Sequence, residues 1–160
     1  MNRDSRLPAH NFHFKGASMR RVLPLVLLFL GACATSQPRV EFLARPGAGG
    51  PFSEAVRVGD ILFLSGVIGA DSTGKLAAGG IGPETQQALE NVKAVLARNG
   101  LTMDRVVKCT AMLADISEWA AMNRVYATYF PGPKPARSAF AASGLVLGAR
   151  MELECIAAAR

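Results

Sequence analysis

The stretch from Pro83 to Gly100 constrains this chain more than any other, because it reads as a helix that needs a sheet to pack on. Pro83 stands where a first helical residue is expected, Glu84 in the first turn, and Gly100 just past the end. Leu89, Val92 and Leu96 recur at helical spacing, and Ala88 and Val95 widen the stripe. Glu84, Glu90 and Lys93 belong to the wet side. Such a stripe is core. Before it, Ser53 to Val58 and Ile61 to Ile68 are β-prone runs separated by Gly59-Asp60, the pattern of a hairpin. After it, Val106 to Ala114 reads as a strand. Asp115-Ile116-Ser117 turns the chain, with Ser117 as N-cap of a second helix. That helix carries Trp119, Met122, Val125, Tyr126 and Tyr129 on one face and ends before Pro131. Ser138 to Ala142 and Arg150 to Ala158 close the sheet. The order strand, strand, helix, strand, helix, strand, strand predicts an α/β or α+β domain with both helices on one sheet face. Nothing in the chain covers the other face, so a homo-oligomer is expected.

The N-terminal segment reads as an address. From Met19 come Arg20-Arg21, the apolar run Val22 to Leu30, and then Gly31-Ala32-Cys33. A basic start, a short apolar run and small residues at a cleavage point describe a secretory signal, and the run is shorter than the roughly 20 residues that span a bilayer. Leu30-Gly31-Ala32-Cys33 resembles the lipobox of bacterial lipoproteins, which implies cleavage before Cys33 and lipid on its thiol. Ala34 in place of Asp resembles lipoproteins sorted to the outer membrane, facing the periplasm. Residues 1–18 then read as an over-extended start, 19–32 as the signal peptide, 33–49 as a tether and 50–160 as the domain. In an oxidising compartment Cys109 and Cys155 either pair or are protected by burial; two buried thiols is the expectation adopted.

Composition narrows the chemistry. At 160 residues, half of them apolar, the chain holds one domain with a real core. The net charge of +6 is concentrated at the start: residues 1–32 carry +4, and the remaining 128 carry 13 basic against 11 acidic side chains. That balance, without an Arg/Lys stripe, gives no footprint for nucleic acid. Both histidines, His10 and His13, precede the domain, and Cys109 and Cys155 form no ligand spacing, so no metal site is expected. Arg137, in Lys134-Pro135-Ala136-Arg137-Ser138, follows a Pro- and Gly-rich turn. Its guanidinium suits a carboxylate bidentately. That carboxylate is either a bound acid or a structural partner, Glu152 or Glu154, and the residues alone leave both open.

From Gly50 to Ala158 the chain resembles the Rid family of reactive-imine deaminases. The resemblance rests on Gly50 to Val56, Phe63-Leu64-Ser65-Gly66, Gln87 to Lys93, Val106-Val107-Lys108, Met122 to Tyr126, Tyr129-Phe130, Pro135 to Ser138 and Glu152-Leu153-Glu154. It implies a chorismate-mutase-like, RidA-like α+β fold with a mixed sheet and two helices on one face. It also implies a homotrimer with three clefts between subunits, and no cofactor. Arg137 would grip the carboxylate of a 2-imino acid, Glu152 would position a hydrolytic water, and Phe52, Ser65 and Gly66 would bind substrate beside Arg137. The products would be a 2-keto acid and ammonia. The chain departs from the family pattern at Phe52, usually Tyr, at Val67 after Ser65-Gly66, and at Leu145-Val146-Leu147, usually a Leu-Pro-Lys-type loop. These changes dry the pocket. A trimer that binds a small carboxylate without turning it over is the alternative expectation on the same scaffold.

Overall fold

The computed structural model describes residues 37–45, 47 and 50–160. The expected over-extended start, the signal peptide and the lipidation residue Cys33 lie outside the described residues. Among the described residues nine strands and α-helices follow one another: β1 (Val40–Leu43), β2 (Ala55–Val58), β3 (Ile61–Leu64), β4 (Val67–Ile68), α1 (Ile81–Arg98), β5 (Val106–Leu113), α2 (Trp119–Tyr126), β6 (Ala136–Ala141) and β7 (Met151–Ala158). The strands form one mixed sheet in the order β1-β2-β3-β7-β5-β6, with β4 also pairing β7. Among the described residues only β5 and β6 run parallel, joined by α2, as a parallel pair requires a crossover. The fold is α+β, with α1 and α2 packed together on one face.

Alternation along β7 separates the two faces. Met151, Leu153, Cys155 and Ala157 are buried under the helices, while Glu152, Glu154 and Ile156 point the other way. Beneath the helices lie the residues of the expected α1 stripe, Ala88, Leu89, Val92, Val95 and Leu96, all buried. Each of its larger members contributes about 1.5–3 kcal/mol through burial. The opposite sheet face presents Ile61, Phe63 and Phe140, each 37–47% exposed.

Several expectations shift on the structure. α1 begins at Ile81, not Pro83, with Gly80 as N-cap at φ 91°. Pro83 still falls in the first turn, where its missing N–H has no intrahelical acceptor to lose. Glu84 is not wet: it is 5% exposed and accepts the backbone N–H of Arg150 at 2.7 Å. The N-cap before α2 is Asp115 rather than Ser117. Its carboxylate accepts the Ser117 N–H at 2.8 Å and caps a short 3-10 turn over Ile116–Glu118. β1 lies within the stretch read as a tether, because Val40, Phe42 and their neighbours pair antiparallel with β2. Cys109 and Cys155 are not free thiols but a disulfide. They are 46 residues apart in sequence, yet the antiparallel β5–β7 register sets them directly opposite, 4.1 Å apart at Cα. Among the described residues no helix is long and apolar enough to cross a membrane.

Candidate active site

The segment from Ile61 to Ile68 is two strands, and the break between them builds the site. Between Phe63, opposite Ile156, and Val67, opposite Leu153, the chain advances four residues against three on β7. The extra residue is a bulge at Ser65-Gly66, a common way to re-aim a strand beside a functional site. The Ser65 hydroxyl donates to the Ser53 carbonyl at 2.7 Å, and its N–H to the Glu54 carbonyl at 3.0 Å, so the loop bearing Phe52 is tied to the bulge. Gly66 has a different task. A Cβ placed on it would lie 1.9 Å from Glu152 Oε1. The Glu152 carboxylate therefore occupies the space that glycine leaves.

Phe52, Ser65 and Gly66 share the wall of a cleft of about 810 Å³ that also takes in Asn91, Arg98 and Leu147. Asn91 is a cleft residue that its motif alone does not reveal. Its amide donates to the carbonyls of Ile68 at 3.0 Å and Ala70 at 2.9 Å and accepts from Gln87, holding β4 and the following turn against α1. The available signal was an Asn in a helix interior, a residue type that gains little there without such a task. Arg98 is occupied by Glu54, through Nε to Oε2 at 3.1 Å and Nη2 to Oε1 at 2.5 Å. Asp71, also on the cleft, lies below its ordinary pKa of 3.8, first because the Thr73 hydroxyl donates to it, then through the N–H groups of Lys75 and Thr73. Among the described residues no group of His, Cys, Asp and Glu could hold a metal ion.

Arg137 is elsewhere. It sits on the edge strand β6, in parallel register with Cys109, and so faces the helix layer. Its guanidinium lies 4.5 Å from the ring centroid of Tyr126 and 5.8 Å from that of Trp119, with Nη1 3.7 Å from Met122 Sδ. Among the described residues it forms no salt bridge. Glu152 and Glu154 point from the other sheet face, so neither is its structural partner. Two aromatic faces stabilise the cation in part, but a half-buried guanidinium without a carboxylate is a strong anion acceptor. Tyr126 is 6% exposed and its hydroxyl has no hydrogen-bond partner among the described residues. Burial pushes that phenol up to about 12, against the opposing charge of Arg137.

One protomer therefore sets Phe52, Ser65 and Gly66 on one cleft wall, places the Glu152 carboxylate against Gly66, and holds Arg137 apart. The first group can orient a water, with the Glu152 carboxylate beside Gly66 as the acceptor of its hydrogen bond. The second can hold a carboxylate.

The model of the family described as Endoribonuclease L-PSP matches residues 42–159. Reactive Intermediate Deaminase A, chloroplastic, of Arabidopsis thaliana is 38% identical over 149 residues, covering 90% of this chain and 80% of that protein. A 2-iminobutanoate/2-iminopropanoate deaminase of Mus musculus is 42% identical over 113 residues, covering 70% of this chain and 84% of its own length. Among solved structures, the yeast protein YEO7 superposes with a TM-score of 0.72 at 41% identity, covering 76% of this chain and all of that one.

Proposed function

The chain belongs to the Endoribonuclease L-PSP family, with RidA-like deaminases among its relatives, and from that premise we propose that it hydrolyses 2-imino acids and their enamine tautomers to 2-keto acids and ammonia. The observation that carries this reading is the division of the site: Arg137, without a carboxylate partner among the described residues, faces away from Glu152 in the same protomer. A homotrimer resolves the division, with Arg137 of one copy meeting Glu152 and Gly66 of the next. The apolar sheet face of Ile61, Phe63 and Phe140 supports assembly, since a monomer would leave it wet.

In this mechanism Arg137 grips the substrate carboxylate bidentately and places the imine carbon over the water held by Glu152. The water oxygen adds to the C=N carbon, and the imine nitrogen takes up a proton, giving a carbinolamine. A further proton transfer turns the nitrogen into a leaving ammonia. As the C–N bond breaks, the hydroxyl loses its proton and the C=O of the keto acid forms. Water is consumed, ammonia is released, and no electrons change hands. Because the imine carbon is already electrophilic, orientation and one acid–base group carry the reaction.

The family description also names an endoribonuclease. The mild charge of the domain and its lack of histidine favour the deaminase. Phe52 and Val67 favour a second reading, a trimer that binds a small carboxylate without turnover. The test is ammonia release from short 2-imino acids generated in situ by an amino-acid oxidase. Arg137→Ala is expected to lower kcat/KM by about a hundredfold or more, the scale of losing a charge-assisted bidentate anchor at the transition state. An unchanged rate in this variant contradicts the role of Arg137. No acceleration by the wild type leaves the binding reading, checked by carboxylate titration.

The proposal extends to place. The Leu30-Gly31-Ala32-Cys33 ending and a Cys109–Cys155 disulfide both suit an exported protein, anchored by lipid at Cys33 to a bacterial membrane, the outer membrane favoured, and facing the periplasm. Cys33→Ala is expected to move the protein from the detergent phase to the aqueous phase; retention in the detergent phase contradicts the anchor.

A further inference from the structure

Leu147 is the only non-glycine residue among the described residues with a positive φ, 59° with ψ 12°. A leucine there is disfavoured by the clash of its Cβ with backbone, and glycine or asparagine takes such positions more readily. Burial could offset that cost, and Leu147 lacks it: the residue is 65% exposed. The loop around it is nonetheless well defined. Gly148 follows at φ 71°, its N–H donating to the Leu145 carbonyl at 3.1 Å, and the Ala149 N–H donates to that of Val146 at 3.1 Å. The strained leucine and Phe52, itself 71% exposed, both line the cleft that holds Ser65 and Gly66. Most of the cleft's charges are already engaged: Glu54 binds Arg98, and Asp71 accepts from Thr73 and Lys75, which leaves Arg45. A costly backbone conformation that keeps an apolar side chain open at a cleft is better explained by what binds there than by the fold.

We propose, resting on the deaminase reading above, that Leu147 and Phe52 clamp the substrate's side chain and select 2-imino acids with branched or bulky apolar side chains over alanine-sized ones. Each additional methylene desolvated between two such walls contributes to discrimination, and several together exceed tenfold.

The test uses the full chain and its Leu147→Asn variant, since asparagine tolerates the left-handed backbone while removing the apolar wall. The quantity read is the ratio of kcat/KM for the imine of leucine to that for the imine of alanine, both generated in situ. The wild-type ratio is expected to be about ten or more, falling toward one in Leu147→Asn. A wild-type ratio near one, or a ratio the substitution leaves alone, overturns the clamp. So does a change of assembly state in the variant, which would make Leu147 an interface residue. Binding of the stable 2-keto acids separates this inference from the deaminase reading. If no imine is hydrolysed, the deaminase reading falls. The clamp then stands on tighter binding of the leucine-derived keto acid than of pyruvate, lost in Leu147→Asn, and falls if that preference is absent.

Discussion

Gly66 and Glu152 compete for one small volume, and glycine yields it. An alanine at position 66 would meet the Glu152 carboxylate far inside van der Waals contact, so the carboxylate has to swing away. Gly66→Ala is therefore expected to lower kcat by at least about tenfold, the modest end of losing a positioned acid–base group, while the circular dichroism spectrum stays that of the wild type. Unchanged turnover would mean that Glu152 does not act from the position it holds. At this scale the sequence is informative about identity and silent about direction. Arg137, Glu152, Phe52, Ser65 and Gly66 are all visible as residue types in motifs. That Arg137 and Glu152 face opposite sides is not visible, because alternation fixes faces only within a strand. The relation between β6 and β7 runs through the register of β5 with both, which is set by tertiary pairing.

Elements with a strong period were legible, and those defined by pairing were not. The stripe of α1 was readable because five apolar residues recur at helical spacing. β1 was missed because four residues beside a Gly- and Pro-rich stretch carry too little period, and their strand character comes from pairing with β2. By type Glu84 belongs to the wet side, whereas the loop before β7 folds back and gives it a backbone N–H to bind. The same reasoning covers the cysteines, whose register no spacing reveals. Two aspartates organise the turns that position these elements, and both lie below their ordinary pKa of 3.8: Asp71 first through the Thr73 hydroxyl, Asp115 first through the Ser117 N–H. A carboxylate depressed in the folded state stabilises it at pH values above 3.8, and that contribution is lost as pH falls through the folded value. Asp115→Ala is thus expected to melt at a lower temperature than the wild type at pH 7, with the gap closing as pH drops below 3.8. A gap that stays constant down to acid pH would show that the carboxylate's charge does not contribute.

The whole molecule presents a half-apolar sheet face and a divided site, and one device accounts for both. If copies associate through the face bearing Ile61, Phe63 and Phe140, the wet surface is buried, and an Arg137 from one copy can serve the Glu152 of another. The uncovered face was legible in the sequence as strands lacking a second helix layer. The division of labour between copies was not, since it requires the direction of Arg137. Complementation tests this most directly. Arg137→Ala and Glu152→Gln, each made alone, are expected to be inactive as pure trimers. Co-expressed or mixed after dissociation, they form trimers in which one of three clefts draws both groups from intact copies. Random mixing of equal amounts then restores about a quarter of wild-type ammonia release, the share of intact clefts in a cyclic trimer. Recovery near that level supports a catalytic site built by two copies of this chain. No recovery from properly mixed trimers would contradict it, placing both groups in one copy or leaving one of them outside the reaction.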